Sequence, residues 1–150
     1  MRNFAPTYHA RERWVGRIVN PDRFPHYNHC KKNCIDCYRD LVVIQSIVSR
    51  SCPDIDLAIC IALNRCVREN MLVTDYTFLQ VVRKKYGEDR NLKFYTNGKA
   101  VFVLLERIND IPVVLSILTY DMIDGTVIKN TEQEDLKTVF NRWKREARSK

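Results

Sequence analysis

Three residues near the start of the chain have the types and spacing to do chemistry together. His9, Arg13 and Arg17 recur every four residues in YHARERWVGR. On an α-helix, residues four apart share a face, one turn above the next. An imidazole takes or gives a proton near neutral pH. A guanidinium stays charged and pairs bidentately with phosphate oxygens. Such a row can hold a phosphodiester and move a proton at it. Metal-free cleavage of RNA needs those parts. A base removes the 2′-OH proton and the oxygen attacks the adjacent phosphorus. Cations stabilise the added negative charge, and an acid protonates the leaving oxygen. The same spacing also describes a plain solvated helix face, with Arg11 and Glu12 as its neighbours.

A second constellation is His26-x3-Cys30-x3-Cys34-x2-Cys37, four soft ligands within twelve residues. Zinc takes four nitrogen or sulfur ligands in a tetrahedron, and this density suits a structural zinc. His29 competes for a place, and Cys52 can stand in for a histidine. Cys30, Cys34, Cys37 and Leu41 also recur at helical spacing, which is equally the pattern of small core residues. C-x3-C-x2-C is the spacing of radical-SAM clusters too, but no parallel βα repeats follow it, and that reading is excluded. All six cysteines fall between positions 30 and 66. The N-terminus lacks an apolar signal-like run, so the chain reads as cytoplasmic, where thiols stay reduced and an even count does not imply disulfides. Cys60 and Cys66 sit among apolar residues and read as core.

Net charge is +7 and the isoelectric point is near 9.2, a balance that favours polyanionic partners, RNA or DNA above all. Lys137, Arg142, Lys144, Arg145, Arg148 and Lys150 cluster at the C-terminus around Trp143, and such cations bind phosphate backbones with little sequence preference. Lys84, Lys85 and Arg90 form a smaller cluster. Tyr95, Tyr120, Asp121 and Asp124 read more simply as strand-packing and turn residues than as an acid or a metal pair.

These side chains need a scaffold, and the sequence predicts one α+β domain over residues 1–150. Thr7 caps a first helix over 7–19, stopped by Asn20-Pro21. A polar loop covers 21–33. Helices over about 33–49 and 54–70 are separated by Ser51-Cys52-Pro53-Asp54, and the second, apolar nearly all round, is expected in the middle of the core. Thr74-Asp75 caps a helix over 75–86 that Gly87 ends. Residues 30–87 thus form a helical, cysteine-containing block. LKFYT, AVFVLLERI and IPVVLSILTYD read as antiparallel strands, with turns at Asn97-Gly98 and Asn109-Asp110 and with 113–119 central. The expected sheet, within 92–128, is small and antiparallel, of about three to four strands, with the N-terminal helices packed on it. Thr131-x2-Glu134 opens a C-terminal basic helix over 131–150, docked by Leu136, Val139, Phe140 and Trp143. No apolar run spans a membrane.

The H-x3-R-x3-R run, together with the pattern FYTNGKAVFVLLERINDIPVVLSILT, resembles the small RelE-like and BrnT-like proteins, metal-independent endoribonucleases of which many are toxins. The resemblance covers roughly 7–19 and 92–120, and not the helical block at 30–87. It implies His9 as general base or acid, Arg13 and Arg17 as phosphate clamps, no cofactor for catalysis, and RNA, the ribosome or a protein antitoxin as partners. Two other classes fit the residues as well: a non-catalytic nucleic-acid-binding protein with a structural zinc, and a phage-type inhibitor module that binds a protein.

Overall fold

The computed structural model describes residues 2–29, 34–119 and Arg145. The architecture is α+β, with helices on both faces of a four-stranded sheet. The basic helix expected over 131–150 lies outside the described residues, apart from Arg145, which is helical and exposed.

The chain enters through a two-residue strand, β1 (Ala5–Pro6), that no periodicity announces. Thr7 then caps α1 (Tyr8–Arg13), its hydroxyl accepting from the Ala10 amide at 3.1 Å. The expected helix over 7–19 does not keep one pitch: Trp14–Val19 winds as a π-helix. Gly16 lies in that wider turn, against Tyr27 and Ile44. The predicted stop at Asn20-Pro21 holds, and a 3-10 turn (Pro21–Arg23) follows. The segment read as a polar loop contains a short helix, α2 (Pro25–His29). Its order comes from side-chain-to-backbone bonds that apolar patterning cannot reveal. Asn28 Nδ2 donates to the carbonyls of Gly16 (2.8 Å), Pro21 (3.0 Å) and Phe24 (2.9 Å).

α3 (Ile35–Arg68) is one long element bent at Ser51, where φ −125° and ψ 21° leave helical space. Pro53 lacks an amide hydrogen and crowds the preceding turn, so the break falls where the punctuation predicted it. The expectation that the second half is buried all round is overturned. Ile55, Ile59, Leu63 and Cys66 face the core, but Leu57 and Ile61 are more than half exposed. The reason is that α3 is an outer layer with one face on the sheet. α4 (Tyr76–Tyr86) begins as expected at Asp75, whose carboxylate accepts from the Phe78 amide at 2.9 Å, and it ends at Gly87, φ +112°.

β2 (Leu92–Thr96), β3 (Ala100–Leu105) and β4 (Val113–Thr119) form the predicted antiparallel run. The sheet order is β1-β4-β3-β2, and β1 joins β4 in parallel, so the sheet is mixed rather than wholly antiparallel. The first hairpin turn is centred one residue later than predicted. Asn97 and Ala100 close it around Gly98-Lys99, with Gly98 at φ +91° and the Asn97 side-chain oxygen accepting from the Lys99 and Ala100 amides. On β3, Phe102 and Leu104 face α1, the π-helical turn and α3, whereas Val101 and Val103 face α4. A strand covered on both sides reads as a continuous apolar run. A bulge at Leu115 shifts the β3–β4 register, so Val114 and Ile117 share the first face.

Among the described residues, no helix is long and apolar enough to cross a membrane.

Candidate functional site

α1 and the π-helical turn lie between β4 and α3, and this position decides what the first constellation does. The His9 side chain is 54% exposed, and its Nδ1 lies 3.8 Å from the buried carboxylate of Glu12, one turn along. Glu12 Oε1 also receives a 3.4 Å contact from Gln45 Nε2 on α3. The imidazole is therefore presented to solvent with a buried carboxylate behind it, at a distance beyond that of a hydrogen bond. Beside it the Tyr8 phenol is pushed above its ordinary value by partial burial and then by Glu12, while Arg11 pulls the other way. Arg11 belongs to the scaffold. It forms a two-pronged pair with Asp56 on α3 at 2.7 and 3.0 Å, and that bond raises its own pKa. Arg13 is partly buried, and its Nε makes no hydrogen bond among the described residues.

Arg17 goes elsewhere. Its Nη1 donates to the Ile117 carbonyl at 2.9 Å, and its guanidinium lies 6.0 Å from the Tyr27 ring centre. β1 pairs with β4 only at Val113 and Val114. Beyond that point Thr7 Oγ1 takes the Leu115 carbonyl at 3.0 Å, and Arg17 takes Ile117. The second arginine of the motif thus satisfies a sheet edge. The predicted row is divided: His9 faces outward beside Glu12, and Arg17 turns onto β4.

Of the second constellation, His26, Cys34 and Cys37 are among the described residues. Cys34 is the N-cap residue of α3 and Cys37 stands one turn on; their sulfurs are 3.7 Å apart. His26, on α2, places Nδ1 4.0 Å from Cys34 Sγ and Nε2 4.0 Å from Asp36 Oδ2. Cys37 Sγ lies 3.3 Å from the His26 carbonyl oxygen. Donor atoms of His26, Cys34 and Asp36 all fall within 4.8 Å of one another. Cys30 lies outside the described residues. Cys52 sits beside Asp56 near the bend of α3. The buried Cys66 thiol is pushed up, chiefly by desolvation, and belongs to the main core as expected. Cys60 packs against that core, its sulfur 3.4 Å from the Phe4 carbonyl.

Of the predicted phosphate-binding cations, Lys137, Arg142, Lys144 and Arg148 lie outside the described residues, as do Tyr120, Asp121 and Asp124. Of the smaller cluster, Lys84 and Lys85 lie on α4, and Arg90 lies beyond its end, where its Nη1 donates to the Tyr86 carbonyl at 3.1 Å. Tyr76 is 72% exposed, and its hydroxyl accepts from Gln80 Nε2 at 2.9 Å. Lys84 continues the same helical line. Gln80, Arg83, Lys84 and Glu88 line a shallow depression of about 320 Å³. Arg83 connects it to a second, of about 270 Å³, that reaches Lys93 on β2 and Leu72, which bridges to Tyr95 of that strand. Arg83 itself rests on Phe94, 5.4 Å from the ring centre. Tyr76 and Lys93 were not singled out from the sequence. The i, i+4, i+8 line Tyr76, Gln80, Lys84 was the available signal. Tyr95 is buried in the core, which makes it a packing residue.

The chain matches no known family model, no curated protein and no solved structure.

Proposed function

We propose that the protein binds single-stranded nucleic acid, RNA in the first place, along the outer side of α4 and the adjoining β2 edge. The observation that carries this reading is the exposed Tyr76 in line with Gln80 and Lys84, beside depressions lined by Arg83 and Lys93. An accessible ring offers a stacking platform for a base, and flanking cations track the backbone. The net charge of +7 acts in the same direction. RNA rather than DNA follows from the resemblance of the opening helix.

Fluorescence anisotropy with a labelled single-stranded RNA of about 16 nucleotides, a length within known site sizes, tests the proposal. Each phosphate contact on a single strand adds about 0.7 to the slope of log K against log salt. Lys84→Ala with Lys93→Ala then lowers the slope by about 1.4 and the affinity roughly 25-fold at 0.1 M salt. An unchanged affinity and slope in the double variant refutes the assigned surface.

A second reading, cleavage of RNA at α1 on the other face of the sheet, is favoured by the exposed His9 beside buried Glu12. It predicts EDTA-resistant fragmentation that disappears in His9→Ala, run with purified RNA and in a translating lysate because the ribosome is among the partners this reading implies. Intact RNA in both settings leaves binding alone. A protein antitoxin belongs only to this second reading.

A further inference from the structure

We propose that His26, Cys34 and Cys37 bind one zinc ion, with Asp36 holding the imidazole in place. This stands apart from the nucleic-acid reading and fails or survives separately. Two thiolates about 2.3 Å from one ion at the tetrahedral angle lie roughly 3.8 Å apart, and the sulfurs of Cys34 and Cys37 are 3.7 Å apart. A sulfur and an imidazole nitrogen on the same ion lie about 3.6 Å apart; His26 Nδ1 is 4.0 Å from Cys34 Sγ, a gap that a small rotation of an exposed ring closes. With Nδ1 on the metal, Nε2 keeps its hydrogen, and that nitrogen already faces Asp36 Oδ2 at 4.0 Å. A carboxylate behind a ligating histidine fixes its tautomer and raises its basicity. Asp36 is itself held by Arg39 at 3.2 Å. Cys34 caps and Cys37 lies in the first turn of a helix that runs to Arg68, whose positive end favours the negative charge that two ligating thiolates bring. Sulfur and imidazole together select zinc over the hard cations.

The arrangement also explains how a short helix of five residues is kept in position. α2 touches α3 through a satellite cluster in which Tyr27, Cys34 and Tyr38 pack against Cys37 and Leu41. That patch is small, and an ion bridging His26 to Cys34 and Cys37 fastens the two helices directly. The rival use of a C-x2-C pair at a helix start is a disulfide. That requires the sulfurs to close to about 2.05 Å and gives His26 and Asp36 nothing to do.

The test uses the full chain purified under reducing conditions from zinc-containing medium. Elemental analysis is expected to find one zinc per chain. Exchange with cobalt is expected to give the visible bands of a tetrahedral site and sulfur-to-cobalt charge transfer, both lost in Cys34→Ser with Cys37→Ser. Asp36→Asn keeps one metal per chain but loses 10- to 100-fold in affinity by chelator competition. Metal-free wild-type protein that takes up no cobalt overturns the proposal. So does recovery of a Cys34–Cys37 disulfide from chain isolated in parallel without reductant, its free thiols alkylated at lysis. Both of these readouts come from the wild-type protein, so neither depends on the variants folding.

Discussion

Replacing Arg17 by alanine separates two accounts of the opening motif. If Arg17 is a phosphate clamp, the substitution harms RNA handling and leaves the fold alone. The structure gives the opposite ordering. Arg17 Nη1 donates to the Ile117 carbonyl at 2.9 Å, on the part of β4 that β1 does not reach. A hydrogen bond to a charged group contributes about 1.5–3 kcal/mol. The guanidinium lies 6.0 Å from the Tyr27 ring centre, at the outer limit of a cation–π contact that contributes about 0.5–1 kcal/mol at exposed sites. These terms share one side chain and do not add fully, so the expected loss is about 2–3 kcal/mol. That is a sizeable part of the roughly 5–15 kcal/mol that holds a domain folded. At about 2–4 °C per kcal/mol for a domain of this size, Tm falls by about 4–12 °C. Urea unfolding followed by circular dichroism is the assay: the midpoint moves and the slope stays, since the native fold persists. Arg17→Lys recovers part of the loss, because an ammonium can reach the carbonyl but lacks the planar face. His9→Ala, at an exposed position, changes stability by no more than about 0.5 kcal/mol. An Arg17→Ala protein that keeps the wild-type midpoint while losing tenfold or more in RNA affinity or cleavage refutes the assignment and returns Arg17 to the phosphate.

Two further outcomes test the packing and the electrostatics. A Cβ at Gly16 would lie 2.7 Å from Tyr27 and 2.8 Å from the fully buried Ile44, so Gly16→Ala costs about 1–3 kcal/mol of overpacking, read as a lower urea midpoint; an unchanged midpoint shows that the π-helical turn has room. Burial raises the Cys66 thiol pKa in the folded state: the unfolded chain ionises first, so stability is full below the unfolded thiol value of about 8.5 and falls as pH rises through the folded one. Cys66→Ala, compared with its own neutral-pH stability, has a shallower alkaline decline, and an identical decline removes Cys66 from the account.

The features legible in the sequence share a local cause. Asp75 caps α4 because its side chain reaches an amide three residues on, and that needs no tertiary context. The bend of α3 sits beside Pro53, and the three C-terminal strands carry the β-branched residues that mark them. The illegible features depend on distant partners. β1 is two residues long and becomes a strand only because Val113 and Val114 pair with it. α2 is organised by Asn28 reaching three carbonyls. The second half of α3 looked suited to a core centre because composition counts apolar residues, whereas burial depends on what lies opposite: Leu57 and Ile61 face outward. The turn at Gly98-Lys99 slipped by one because Asn97 serves as a side-chain acceptor outside the central pair. His26, Cys34 and Cys37 could be grouped from the sequence because they are close in it, and the exposed Tyr76 could not be singled out, because exposure of one aromatic residue is a property of the fold.

The H-x3-R-x3-R spacing is compatible with two uses, and α2 links their consequences. Tyr27 packs against Gly16, lies under the Arg17 guanidinium and donates its backbone amide to Asp40 of α3 at 3.0 Å. Its neighbour His26 enters the proposed zinc site, and Asn28 bonds the Gly16 carbonyl. Zinc at His26, Cys34 and Cys37 would therefore steady the seat of Arg17 and the π-helical turn without touching RNA. Removing such an ion lowers Tm, since a ligand held only by the folded state stabilises it. Loss of RNA binding or cleavage in a chelator is then expected near the lowered Tm even if no metal takes part in chemistry. At a temperature well below it, with folding monitored in the same sample, the two causes separate. Activity that persists there assigns the metal to the fold, and activity lost from a chain that remains folded places the metal at the RNA.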